Sequence, residues 1–293
     1  MKLIRTCGSG ALVAGLIAAS FVGTPSARAQ KTPAVPALQT VNPILSQFED
    51  GGTLPGGQKL VAGETVFFRF GAVGFKTSET GRVQLTSHAQ AFDPEGVAII
   101  PKDEVVIGTS LRDEDKDWKP ALRFQLQVPA IARAGTYRIQ YDVTDDQTKK
   151  TAAGEVKFEV TGPNVPKSET LVVRGLSFYR TPDDETPLRV AAYRAGDTVW
   201  VKFDVTGYKY GEQNAIDVVY DVTVTSDEGK AMFSQQDAAA ERSQAFYPQP
   251  WVPASFSLTL QPNMAVGAYN VEITARDGVG KQSAKAVGIF RIQ

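Results

Sequence analysis

The sequence predicts an all-β protein, two tandem antiparallel β-sandwiches behind an export leader, and three observations carry that prediction. The first is a hairpin stretch that occurs twice. Tyr137, Ile139, Tyr141 and Val143 alternate with polar residues between Gly135 and Asp145, and Tyr269, Val271, Ile273 and Ala275 do the same between Gly267 and Asp277. A period of two with a turn residue at each end marks a strand with one face in a core. The second is a register held across the chain. Ala62 to Phe70 matches Ala195 to Phe203 at an offset of 133, as do Gly74 and Phe75 with Gly207 and Tyr208, and Trp118, Pro120 and Ala121 with Trp251, Pro253 and Ala254. One residue is then lost, and Phe124, Leu126, Gly135 and Tyr137 match Phe256, Leu258, Gly267 and Tyr269 at 132. A fixed offset of this length is the mark of an internal repeat. The third is punctuation: short β-branched and aromatic runs separated by Gly, Pro, Asp and Asn at roughly ten-residue intervals, as sandwiches require.

Taken in order, residues 1–29 read as a signal peptide. Lys2 and Arg5 precede an uncharged run over residues 11–23, and Ala27-Arg28-Ala29 is a small-residue cleavage site. The run is shorter than the ~18 residues a membrane helix needs, and no later stretch reaches that length, so no transmembrane segment is expected in the mature chain. Residues 30–40, with Pro33 and Pro36, form a tether. The first sandwich spans 41–162, with a strong turn at Asp93-Pro94-Glu95-Gly96. Residues 163–169, opening with Pro163 and Pro166, are a linker, and the second sandwich spans 170–293. The best helical candidate is residues 235–242, built on Ala238, Ala239 and Ala240.

Composition excludes several chemistries. Cys7, the only cysteine, lies in the leader, so the mature chain has no disulfide, thiolate nucleophile or Cys-ligated metal site. Removing Lys2, Arg5 and Arg28 with the leader lowers 31 basic residues to 28 against 32 acidic ones, a net charge of −4. A weakly acidic chain without basic blocks does not suit nucleic acid or an anionic membrane. His88 is the only histidine, and it alternates out of phase with the core positions Leu85, Ala89 and Ala91, which makes it a solvated strand residue. One His and no Cys leave no zinc site of ordinary type and no Ser-His-Asp triad with a spare base.

The acidic stretch at Asp113, Glu114, Asp115 and Asp117 has carboxylates at alternate positions, but Trp118 and Phe124 stand where a calcium loop needs Gly and Glu. It reads as a solvated loop, as do Asp145-Asp146 and Asp183-Asp184-Glu185. Gly278 and Gly280 lie between two strands and mark a hairpin turn rather than a phosphate loop. No catalytic, cofactor or metal residue is assigned.

Leu126, Val128 and Pro129 followed by Gly135 and Tyr137, and Leu258, Leu260 and Pro262 followed by Gly267 and Tyr269, resemble the E–F corner of immunoglobulin-like and fibronectin type III-like domains. The resemblance implies two immunoglobulin-like sandwiches, with Tyr137 and Tyr269 as tyrosine corners whose hydroxyls bond upstream backbone. The paired cysteines of antibody domains are missing, which places the chain nearer the disulfide-free bacterial modules. Fold resemblance alone does not carry function.

The segment with most functional colour is Phe246-Tyr247-Pro248 through Trp251, where proline stiffens a loop that displays aromatics. Phe246, Tyr247 and Trp251 are the candidate partner contacts; the structural alternative is that Trp251, like its counterpart Trp118, plugs one end of a sandwich. The expected function is that of an exported, periplasmic or extracellular, non-catalytic binding or scaffolding protein, its partner a protein or glycan of the cell envelope. The alternatives are a carbohydrate-binding accessory and a hydrolase using carboxylates alone.

Overall fold

The structure, a computed structural model, describes residues 37–293 apart from Lys116. The predicted leader, and the tether as far as residue 36, fall outside the described residues. The chain is all-β. The first copy runs β1 (Gln39–Ser46), β2 (Leu60–Val61), β3 (Thr65–Val73), β4 (Arg82–Phe92), β5 (Asp103–Ser110), β6 (Ala121–Gln127), β7 (Gly135–Asp145) and β8 (Lys150–Thr161). The second runs β9 (Val172–Tyr179), β10 (Ala192–Tyr193), β11 (Thr198–Thr206), β12 (Ile216–Ser226), β13 (Ala231–Ser243), β14 (Val252–Thr259), β15 (Gly267–Asp277) and β16 (Gln282–Ile292). Two single-turn 3-10 helices, Asp113–Asp115 and Glu212–Asn214, sit in loops.

Each copy pairs a three-stranded sheet with a five-stranded one. The orders are β1-β3-β6 with β2-β8-β7-β4-β5, then β9-β11-β14 with β10-β16-β15-β12-β13. The second set repeats the first strand for strand, down to the short parallel pairings of β2 with β8 and β10 with β16. Side-chain alternation explains the layers: along β3 the residues Val66, Phe68, Phe70 and Ala72 are buried while their neighbours are half-exposed. Phe68, Phe70, Phe124 and Tyr141 form an aromatic cluster with ring centroids 4.5–6.3 Å apart. In the second copy Tyr269 stacks on Phe290 at 5.4 Å and Tyr220 meets Phe203 edge-on at 5.4 Å. Burying each such ring contributes about 1.5–3 kcal/mol. Two separate core clusters result, and contacts gather the described chain into one compact unit.

Two expectations need correction. The alanine-rich residues 235–242 are strand, part of β13, because β12 gives the inner side of their backbone a long ladder of partners, which outweighs the weak tendency of a two-turn helix to form. β1 starts at Gln39, inside the predicted tether, because Gln39 already pairs with Val73.

Two glycines show how turn geometry enters. Gly207 has φ +78°, and a Cβ there would fall on the carbonyl oxygen of Thr170. Gly175 has φ +63° but open space around it. Gly207→Ala is therefore expected to cost ~3 kcal/mol or more, whereas Gly175→Ala costs ~1–2 kcal/mol from backbone strain alone. Urea denaturation of the two variants checks the difference.

Candidate functional site

The Phe246–Trp251 loop does not form a single exposed platform. Phe246 stands out at 51% exposure, but Tyr247 is 8% exposed and Trp251 only 3%. Tyr247, which follows strands of the second copy, packs into the core cluster of the first. Its hydroxyl donates to Asp93 Oδ2 at 3.1 Å. Asp93 is itself buried at the turn the sequence marked, its Oδ1 accepting the N–H groups of Glu95 and Val97 at 2.9 and 2.8 Å. Burial, together with Tyr137 and Asp93 beside it, pushes the Tyr247 hydroxyl's pKa up, so it stays a donor. Tyr247 is thus a fastening between the two copies rather than a free partner contact.

The corner tyrosines extend that fastening. Tyr137 donates to the Arg133 carbonyl at 2.9 Å, and Tyr269 to the Ala265 carbonyl at 2.8 Å. This is tyrosine-corner geometry in both copies. Burial, with Asp93 nearby, pushes the Tyr137 pKa up to about 12. The residue held by Tyr137 is the one that reaches across. Arg133 Nη2 donates to the Pro250 carbonyl at 3.2 Å, and its guanidinium lies 5.9 Å from the Trp251 ring centre. Tyr208 and Tyr210 both donate to the Gln249 carbonyl, each at 2.5 Å. Lys167, in the predicted linker, pairs with Glu95. Trp118 does not share the Trp251 environment: it is half-buried, edge-on to Phe75 at 6.0 Å.

Other single-residue expectations also resolve. Asp145 is not solvated but 1% exposed, with Oδ2 accepting the Lys76 N–H at 2.8 Å and Oδ1 the Gln147 N–H at 2.9 Å. Asp277 repeats this for Lys209 and for Val279. His88 lies on the outer sheet face as read, yet its side chain is only 25% exposed. Its Nδ1 sits 2.9 Å from Asp142 Oδ1 and its Nε2 3.1 Å from Glu104 Oε2, supplied by the flanking strands. No group of three or more His, Cys, Asp or Glu residues suited to a metal ion occurs among the described residues.

The surface that distinguishes the copies is the outer edge of the second one. In the first copy the inward residues of β6, Leu122, Phe124 and Leu126, are 0–3% exposed. By their register with β3 and β11, the counterparts on β14 are Ala254, Phe256 and Leu258, which are only partly buried. The cause lies on the neighbouring edge strand. β5 turns Val105 and Ile107 onto its core, whereas Phe233 and Gln235 of β13, paired with the inward Val224 and Val222, remain exposed. β13 also jogs twice in register, with Asp237 at φ +50°. Its stretch Ala231 to Gln236 carries no charge and no proline, and Met232 and Phe233 are 44% and 37% exposed. The helix expected over residues 235–242 overlaps only the end of this stretch.

These layers define a β-sandwich protein. No protein-family profile matches the sequence, and no curated protein does. Solved structures matched by the chain include the C-terminal domain of the Streptococcus agalactiae AgI/II polypeptide BspA, at 11% identity and TM-score 0.28, covering 85% of this chain and 100% of that one. The C-terminal domain of the Streptococcus pyogenes antigen I/II-family protein AspA matches at 10% identity and TM-score 0.27, covering 86% and 99%. Likeness at these values carries no functional argument.

Proposed function

We propose that the chain is an exported, non-catalytic binding or scaffolding protein, and that it takes up an extended segment of an envelope protein along β13. The observation that carries this reading is the unprotected edge: a 13-residue strand whose first half is exposed on both faces and free along one side. Unpaired edge N–H and C=O groups are a template for another strand, and natural proteins normally blunt them with Lys, Pro or inward charges. Residues 231–236 have none of these, and the register jog at Met232 is the one feature that interrupts them. Export is supported by the leader pattern of residues 1–29.

The test is capture from the cell envelope by the mature chain, beside a Phe233→Lys/Gln235→Lys variant that gives the edge inward charge. A partner retained by the parent and lost by the variant is the expected result. Equal capture by both, or none by either, overturns the reading.

A further inference from the structure

We propose that the outer face of the five-stranded sheet in the first copy is a binding site for a neutral oligosaccharide, held by Gln90, Gln140, Asp142, Lys102 and Glu155 with His88 at its rim. The inference rests on the reading of the chain as a binding protein but not on the β13 edge.

The face contains a depression of about 550 Å³, within the ~300–1,000 Å³ usual for small-ligand sites. Ala153, Gly154 and Tyr141 are among the residues that line it. The hollow exists because small residues stand there. In the second copy the position paired like Ala153 is Lys285, and it fills the face by pairing with Glu272 at 2.7 Å. The two copies share a core pattern and a topology, but the residues around this position differ. His88, Gln90 and Asp142 give way to Asp221, Thr223 and Thr274 in the second.

The lining chemistry selects the ligand class. Gln90 and Gln140 are cross-strand neighbours. Their amide nitrogens make only long bonds, 3.4 Å each, to the Ile100 carbonyl and to Glu155. A primary amide offers a donor and an acceptor side by side, which suits adjacent hydroxyls. Charges are matched rather than one-sided: Lys102 lies 3.9 Å from Asp142, and Arg138 3.7 Å from Glu155. Within the lining itself Lys102 stands with two carboxylates, Asp142 and Glu155, a balance that does not favour an anion. Phe92, with the Arg138 guanidinium 5.2 Å from its ring centre, closes one end with apolar surface for the C–H face of a sugar ring. The central strand β7 is paired on both sides and leaves no backbone edge there, whereas β8 is paired with β2 only at Val160 and Thr161, so polar peptides are the competing ligands in the test.

The test is an array of neutral tri- and tetrasaccharides, with acidic oligosaccharides and polar peptides alongside, probed with the intact mature chain. Binding to at least one neutral oligosaccharide is expected. Gln90→Ala/Gln140→Ala should weaken it at least ten-fold, and Ala153→Trp, which fills the hollow from the surface, should abolish it. Glu272→Ala/Lys285→Ala on the matching face should leave it unchanged, and so should Phe233→Lys/Gln235→Lys, which separates this site from the edge strand. No neutral ligand, binding confined to acidic saccharides or peptides, or binding undiminished in the first two variants overturns the proposal.

Discussion

Replacing Tyr247 with alanine is expected to split the thermal unfolding of the chain into two transitions. The ring belongs by sequence to the second copy and by packing to the core of the first. Its removal leaves a cavity at that junction and deprives the buried Asp93 of its Oδ2 donor. Large-to-small changes at buried aromatics cost ~3–5 kcal/mol. Here the loss falls on the coupling between cores, since each retains its own cluster. Tyr247→Phe keeps the ring and loses only a hydrogen bond to a charged acceptor, so ~1.5–3 kcal/mol and a single broadened transition are expected. Scanning calorimetry distinguishes the two. A single sharp transition in the alanine variant would show that other contacts suffice to hold the copies together.

Asp145→Asn is expected to cost ~2–3 kcal/mol at neutral pH, with the difference from the parent shrinking in acid. Burial by itself would raise the Asp145 pKa. The N–H of Lys76, the hydroxyl of Thr148 and the N–H groups of Gln147 and Thr148 outweigh it and hold the carboxyl below its ordinary value. The sign follows. A depressed folded pKa means the unfolded chain binds the proton more readily, so the contribution is complete above the unfolded value near ~3.9 and disappears as pH falls through the folded one. Urea denaturation of parent and variant at pH 7 and across the acid range checks this. A difference independent of pH would mean that the carboxylate's charge plays no part in tying the β7–β8 turn to the loop before β4.

Most of the strand framework was legible because its signals are local. Tyr137, Ile139, Tyr141 and Val143 alternate whatever surrounds them, and Asp93-Pro94-Glu95-Gly96 bends the chain by its own chemistry. The corner tyrosines were equally readable, because their acceptors lie four residues upstream. What escaped depends on neighbours far along the chain. Ala238 to Ala240 favour a helix in isolation and become strand through β12. Tyr247 looked exposed because the core it enters lies 154 residues away at Asp93. Asp145 has the same letters as a solvated turn; only the approach of Lys76, 69 residues earlier, makes it a buried cap. His88 was placed on the right face, but its two carboxylate neighbours come from separate strands.

The clasp of Tyr247 and Arg133 has a consequence for multivalency. On the two proposals above, a saccharide seated on the first copy and a strand added to the second would be held at one separation, as marks on a ruler. Linking the two ligands raises effective concentration only when the tether spans that gap, and a tether too short for it gains nothing. Loosening the clasp would erase this length discrimination while leaving each single-site affinity intact.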